Sequence, residues 1–384
     1  MANTLTNLIP ELYSNLDVVS RELVGMIPAV TLDPAASRAA LNQTVRTFVA
    51  PAATASDITP GLTAPDTGDQ TIGNGSLSIT KARKVPIRWN GEEELSVGGA
   101  GFGAAQIRAA QIQQAFRTLV NEMEADLCAL HIAASRAHGT AGTTPFGTAG
   151  DYTDASLARK ILVDNGAGES DLHLVMNTAA GANIRGKQAR VDEAGTTSIL
   201  RQGVLQDVGG MMLRESGQIV TFTKGTGASA TTNAAGYAVG ATVITLAAVG
   251  TGTILAGDVI TFAGDSNQYV VASGDTDVSN AGTITLAAPG LKVAMSAATK
   301  AITVVASSAR NMAFRRSAIV LATRLPALPT GGDSAIDRAV VTDPRSGVSF
   351  EISMYAQYRQ MYWEVAACWG VKAVKPEHMA LLLG

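Results

Sequence analysis

Between Ala104 and His138 neither Gly nor Pro interrupts the chain. Over that stretch Ile112, Phe116, Leu119, Met123, Leu127, Leu130 and Ala134 recur at the four-three spacing of one apolar stripe. Arg108, Arg117, Glu122, Glu124 and Asp126 fall on the other faces. The spacing predicts a single helix of about 35 residues, roughly 50 Å long and about three times the globular average. A helix of that length needs a broad surface to lie on, and it serves as a strut across a domain. Ser96 to Gly103, just before it, reads as a glycine hinge.

The rest of the chain arranges itself around the strut. Leu5, Leu8, Ile9, Leu12, Leu16, Val19 and Leu23 predict an amphipathic N-terminal helix over Leu5 to Met26, ended by Pro28. Thr44 to Val49 and Ser76 to Thr80 read as strands, and Val85 to Trp89 continues extended. The first two are joined by about 25 residues rich in Ala, Thr, Pro, Gly and Asp, too long for an ordinary loop in a compact domain. They read as a long hairpin arm reaching away from the body, with a plain linker as the alternative. After the strut, Ala155 to Asn165 and Thr178 to Arg190 read as helices flanking a buried strand, Leu172 to Met176. Ala318 to Thr323, Val348 to Tyr358 and Trp363 to Val371 are again strand-like.

Phe222 to Val305 differs from both flanks. Thr242–Ala247, Val259–Ala263, Gln268–Ala272, Thr283–Ala287 and Ile302–Val305 are short β-branched runs of period two, punctuated by Gly/Asp/Ser turns. No Lys or Arg occurs from Gly225 to Leu291. This stretch is expected to be a small inserted all-β barrel or sandwich with its own core.

Candidate chemistry is sparse. Gly99-Ala100-Gly101-Phe102-Gly103-Ala104 matches GxGxxA at a helix start, but no return strand and acidic ribose partner follow, so a dinucleotide site is not supported. Asp275-Thr276-Asp277-Val278-Ser279 opens like a calcium loop yet lacks its Gly at position six and Glu at position twelve. His131, His138, His173 and His378 have no zinc spacing with a cysteine, and His131 reads as a helix-flank or interface residue. Neither a GxSxG elbow nor a phosphate loop is present. No catalytic, cofactor-binding or metal-binding residue is assigned, and the chain is not expected to be an enzyme. Cys128 and Cys368 are too few for a disulfide framework, so a reducing compartment is expected. Secretion and membrane spanning are not expected, because no stretch approaches ~18 uninterrupted apolar residues.

Lys plus Arg is 29 and Asp plus Glu is 32, a net charge of −3 that argues against a dedicated nucleic-acid binder. Two small basic clusters stand out: Arg310, Arg315 and Arg316, and Lys81, Arg83, Lys84 and Arg88. Neither is interleaved with aromatics for base stacking. They are expected to pair with Glu92, Glu93 and Glu94 on the same chain or a neighbour, contact with a nucleic-acid backbone being the alternative.

Three stretches carry a family likeness. Gly257-Asp258-Val259-Ile260-Thr261-Phe262-Ala263-Gly264 is similar to the Gly-Asp-x-Ile-x-Phe-Ala-Gly strand of an insertion domain. Cys368-Trp369-Gly370-Val371-Lys372-Ala373-Val374-Lys375-Pro376-Glu377 resembles an aromatic-Gly-Val-x-Ala-x-(Lys/Arg)-Pro-Glu close. Arg201-Gln202-Gly203 through Asp207-Val208 resembles the segment just upstream of the insertion. With the element order, the chain resembles the major capsid (coat) proteins of tailed double-stranded DNA bacteriophages, in their podovirus-type form with an inserted β-domain.

The resemblance implies an α+β fold of the Johnson type, with spine helix, extended hairpin loop, axial α/β domain and inserted small β-barrel. It divides the chain into an N-terminal arm (1–43), an extended loop with its flanking strands (44–95) and a peripheral domain with the spine helix (96–145). An axial domain (146–221 and 309–370), the barrel (222–308) and a C-terminal return to the peripheral domain (371–384) complete it. It implies a structural protein that assembles as hexamers and pentamers into an icosahedral head around DNA. Scaffolding and portal proteins and non-specifically held genomic DNA are the implied partners, with no cofactor and no membrane. The protein would be found in the virion capsid after assembly in the bacterial cytoplasm, and maturation would rotate subunits and bend the spine helix or the hinge at Gly98 to Gly103. A charge fraction of 16%, against roughly 25% in soluble domains, suits a subunit whose surface faces other subunits. In relatives a charged loop on the insertion meets the neighbouring capsomer, but Ala228 to Val239 lacks Lys, Arg, Asp and Glu, so no salt bridge is expected there. The alternative function is a carbohydrate- or receptor-binding surface protein using exposed aromatics of the β insertion.

Overall fold

The apolar stripe of the strut lies where the spacing puts it: Ile112, Phe116, Leu119, Met123 and Leu127 are all buried. The computed structural model describes residues 24–49, 55–58, 60–63, 73–98, 104–148, 151–188, 205, 207–343 and 347–384. Residues 5–23 of the expected N-terminal helix, most of the arm between residues 50 and 72, the hinge residues 99–103 and Arg201-Gln202-Gly203 lie outside the described residues, and the expected helix's last three residues, 24–26, are not helical.

A 3-10 turn at Ile27–Ala29 leads into β1 (Thr31–Ala39). β2 (Thr44–Val49) and β3 (Gly73–Ser78) pair antiparallel from Thr44↔Ser78 to Val49↔Gly73, which makes them the two sides of a hairpin. β4 (Lys81–Asn90) and the short helix α1 (Gly91–Gly98) precede the spine helix α2 (Ala104–Cys128). Asn90 and Glu93 form a reciprocal cap at the start of α1, each side chain accepting from the other's amide.

The spine helix is shorter than its sequence pattern predicts. It ends at Cys128, passes through a 3-10 turn (Ala129–Ala133) and becomes β5 (Arg136–His138). Ala134 is already extended, and Ser135 donates both its amide and its hydroxyl to the Met379 carbonyl. Pairing with strands on both sides outweighs the helical preference of these last residues, leaving a helix of about 37 Å. Leu130 is only half-buried as a result.

After β5 come α3 (Thr153–Asp164), β6 (Leu172–Met176), α4 (Thr178–Lys187) and β7 (Met211–Glu215). The insertion contains β8 (Thr221–Phe222), β9 (Val243–Thr245), β10 (Val259–Phe262), β11 (Gln268–Ser273), β12 (Thr283–Leu286) and β13 (Ile302–Val304). The chain closes with β14 (Ser308–Arg315), β15 (Ile319–Pro326), β16 (Asp337–Thr342), β17 (Ser349–Gln357), β18 (Gln360–Ala373) and β19 (Met379–Leu383).

Two large sheets organise these elements, and the fold is α+β. One runs β1-β15-β18-β17-β16, with β4 also on β18; β1 is parallel to β15 and its other pairings are antiparallel. Its inner face covers α2: Phe116 meets Phe350 edge-on at 5.2 Å, and Ile319, Leu321, Trp363 and Trp369 share that core. The other runs β13-β10-β11-β5-β19-β14-β6-β7. α3 and α4 pack on it through Ala155, Leu162, Ile184, Leu174 and Leu382. The expected axial segment 309–370 is therefore divided. β14 lies with α3 and α4, whereas β15, β17 and β18 lie on the spine helix. β19, in the expected peripheral return, is a central strand between β5 and β14.

The insertion has the expected core of its own: Ile244, Leu246, Ile260, Phe262, Tyr269, Val271, Ile284 and Leu286. Residues 230–233 bond to β9 on one side and to the stretch around β13 on the other, closing a small barrel. It is not separate from the body, since Gln268↔Ala137 and Tyr269↔Arg136 join β11 to β5 and make its sheet continuous with the larger one.

Candidate assembly surfaces

The hairpin arm is rooted firmly and then left exposed. At the root, Leu77 and Ile79 are buried against Val320, Ala322 and Cys368. Ile79 exchanges backbone hydrogen bonds with Asn42 and Gln43, and Thr80 donates to the Trp369 carbonyl. Lys372 Nζ donates to the Ser76 carbonyl at 2.6 Å. Only glycine fits opposite, because a Cβ on Gly370 would lie 2.1 Å from the Ser78 carbonyl oxygen. Farther out the support ends: Ile58 is 95% and Leu62 107% exposed. Two large aliphatics four residues apart are thus fully in water, covered by none of the described residues.

The return side of the arm is riveted to the spine helix by charge. Lys81 Nζ bridges Glu122 (2.9 Å) and Asp126 (2.8 Å), and Arg83 Nε reaches Glu122 at 3.0 Å. Lys84 pairs with Glu364 at 3.0 Å. Trp369 Nε1 donates to Asp126 Oδ2 and Trp89 Nε1 to Gln111 Oε1, which pins both strands across the helix. Burial pulls the Lys81 ammonium down, yet its bonds to Asp126 and Glu122 outweigh this and hold it above its usual range. The hydrogen bond to Glu364, then that to Tyr362, holds Lys84 higher still. This corrects the expected partners. Lys81, Arg83 and Lys84 pair on their own chain, with Glu122, Asp126 and Glu364 rather than Glu92, Glu93 and Glu94. Glu94 pairs instead with Arg108, at 2.9 Å. The three arginines of the other cluster also part company: Arg310 is buried, while Arg316 donates to the Pro28 carbonyl.

Glu124 departs most from the sequence pattern. Assigned to an outer face of the helix, it is fully buried, and its carboxylate accepts the amides of Gly25, Met26 and Ile27. Burial raises its pKa, against those three amides and the Ser216 side chain. The pattern hides it because the partner is backbone from a segment nearly a hundred residues away, and backbone leaves no side-chain signature.

The remaining candidates resolve simply. Asp277 caps its own turn, accepting from the Ser279 amide and hydroxyl and from Asn280. The four histidines sit on four different elements: the turn after α2, β5, β6 and the 3-10 turn Pro376–His378. Among the described residues no group of three His, Cys, Asp or Glu side chains is placed to hold a metal ion. Cys128 and Cys368 are free thiols, pushed by burial up to about 12 and about 11. Of the aromatics in the insertion, Phe262 and Tyr269 are buried, while Phe222 and Tyr237 are half-buried, so they offer no exposed stacking platform. Gly257 to Gly264 forms a turn, the strand β10 and a second turn, with both glycines at positive φ. Among the described residues no helix is long and apolar enough to cross a membrane.

No protein-family model matches the chain, and no curated protein does. Among solved structures it is similar to a chain of Mycobacterium phage Che8, at 12% identity over 89% of this chain and 84% of that one, with a TM-score of 0.43. It is similar to the capsid structure of the cyanophage P-SCSP1u at 8% identity (92% and 86% covered, TM-score 0.48). It is also similar to the virus-like particle from Pyrococcus furiosus at 8% identity (98% and 100% covered, TM-score 0.41).

Proposed function

We propose that this chain is a major capsid protein, a non-enzymatic subunit that assembles into hexamers and pentamers of an icosahedral head enclosing double-stranded DNA. The observation that carries the reading is the arm. A hairpin rooted by buried Leu77 and Ile79 presents Ile58 and Leu62 wholly to solvent, where a second copy of the chain would cover them. The likeness of the Gly257–Gly264 and Cys368–Glu377 stretches to phage coat proteins supports the same conclusion.

In this reading residues 1–43 form the N-terminal arm and 44–95 the extended loop with its flanking strands. The spine helix with β15 to β18 is the peripheral body. β5, β6, β7, β14 and β19 with α3 and α4 form the axial body, and residues 222–308 are the inserted barrel. Each extended loop lies across the next subunit in a head-to-tail contact that closes into rings. Many weak contacts repeated around the shell give stability while single errors stay reversible. Scaffolding and portal proteins and packaged DNA are the partners.

The test is negative-stain microscopy and sedimentation of the purified chain, alone and with its candidate scaffold. Closed shells, partial shells or capsomer rings are expected. A monodisperse monomer or dimer under both conditions would overturn the proposal.

A further inference from the structure

The inserted barrel meets the body at a seam where three elements converge. β8 enters the insertion and β14 leaves it, and the two pair through Ser308↔Phe222 and Ala309↔Thr221. The turn that follows the spine helix packs on this stalk. The His131 ring meets Phe222 edge-on at 5.1 Å, and the Arg310 guanidinium lies 5.2 Å from the centre of the same ring. Gly257, at the turn into β10, closes the stack: a Cβ there would lie 3.1 Å from both His131 Nε2 and Phe222 Cε2.

The polar atoms of this stack are poorly served. Arg310 is 3% exposed and donates Nη1 to Ser308 Oγ, but its Nε and Nη2 are buried without partners among the described residues. Asp258, the carboxylate nearest in charge, is fully buried and already accepts the amides of Gly225 and Leu255. His131 Nδ1 lies 3.1 Å from the Cys128 carbonyl oxygen, which can only accept, so Nδ1 carries the proton. Nε2 is then a bare lone pair, buried with no partner among the described residues.

We propose that the His131–Phe222–Arg310 stack is an acid-sensitive seat for the inserted barrel. A proton on Nε2 sets a second cation against Arg310 where no free carboxylate among the described residues receives it, and the barrel loosens from the spine helix. The charged and titratable groups around His131 are Arg310 on β14, Asp258 on the turn into β10, and Cys128 on α2 with Glu124 behind it. Burial first, and Arg310 after it, hold the imidazole below its usual 6.5 against the pull of the Cys128 carbonyl. A base whose pKa is lowered on folding takes its proton in the open state first. The seat is therefore full strength above 6.5 and weakens as pH falls below it.

Hydrogen exchange of the full chain, corrected for intrinsic rates and followed from about pH 7.5 to about pH 5, reads this directly. Opening of the segments spanning β10 and β11 is expected to rise by up to about tenfold per pH unit below the histidine range. The hairpin of β17 and β18, which holds no histidine, should stay protected. His131→Gln should flatten the response at the barrel. Arg310→Met should make it shallower, and it supplies the comparison if the histidine variant does not fold. Unchanged barrel protection in the wild-type chain would overturn the proposal. So would an undiminished response in His131→Gln, or equal loss across the β17–β18 hairpin.

Discussion

Glu124 Oε1 lies 2.6 Å from the Met26 amide nitrogen, and the same oxygen takes the Gly25 amide at 2.7 Å. Oε2 takes that of Ile27 at 3.0 Å. A carboxylate in the middle of the spine helix thus gathers three consecutive amides of the segment that leads into β1. On its other side that segment is wedged against β7, since a Cβ on Gly25 would lie 2.4 Å from the Glu215 carbonyl oxygen. Spine helix, N-terminal segment and the edge strand β7 of the larger sheet meet at one carboxylate.

Replacing Glu124 with Leu strands three buried amides, each costing about 1–3 kcal/mol, so a loss of at least about 3 kcal/mol is expected in urea denaturation. Glu124→Gln keeps one accepting oxygen and should cost less. The pH dependence separates them further. Burial raises this carboxyl, so the folded chain takes the proton before the unfolded one. Its contribution is full below about 4.5 and is lost as pH rises through the raised value. The stability gap between wild type and Glu124→Gln should narrow with rising pH. A gap that widens would contradict the assignment.

Gly370→Ala tests the root of the arm. The added Cβ would meet the Ser78 carbonyl oxygen at 2.1 Å, and backbone on both sides of the clash leaves nothing flexible to yield. A destabilisation of about 3 kcal/mol is expected, together with faster proteolysis near residues 77–80. Unchanged cleavage and thermal midpoint would show that the strands part without cost.

Most elements were legible because their patterns are local. The stripe of the spine helix, the five short strands of the insertion and the alternation around Leu77 and Ile79 each state which face is buried. Where the pattern misled, distant pairing decided. Residues 129–138 keep a helical rhythm, yet β11 and β19 on either side draw Arg136–His138 into a sheet. The charge partners of Lys81, Arg83 and Lys84 were misplaced for the same reason. Glu122 and Asp126 come near only when β4 crosses the spine helix, and linear proximity pointed to Glu92–Glu94 instead. The division of residues 309–370 between two sheets carries no local mark, since it is set by distant partners, β19 and β6 for β14 and β1 and β18 for β15.

Trp369→Phe should cost about 1–2 kcal/mol. The phenyl ring keeps six of the indole's nine ring atoms and leaves only a small void in this buried site, while the hydrogen bond from Nε1 to Asp126, at 2.8 Å, is lost. Asp126 keeps Lys81 as a partner, so the loss should shrink only slightly in high salt. A cost above that of truncating a core aromatic, about 3–5 kcal/mol, would mean that packing and not this bond is the main tie.

Glu351→Gln probes the outer face of the same sheet. Glu351 is buried and paired with both Arg38 and Arg338. A buried pair broken on one side typically costs about 3–5 kcal/mol, but both arginines are partly exposed and can turn to water. About 1–2 kcal/mol is therefore expected, with β1 and β16 losing hydrogen-exchange protection together because each supplies one arginine. Loss confined to one strand would show that the two pairs act independently.

Ile58 and Leu62 distinguish a role in assembly from a role in folding. Neither buries surface against the described residues, so changing both to Asp should leave the unfolding free energy of the unassembled subunit within about half a kcal/mol of wild type. In the shell each side chain would bury against the next subunit, and exchanging it for a carboxylate removes about 1.5–3 kcal/mol of burial and adds an unpaired charge. Because every subunit repeats that contact, sedimentation should show capsomers or shells giving way to single subunits at concentrations where wild type assembles. Normal shells from the double variant would place the arm outside the interface and leave its exposed aliphatics without a function.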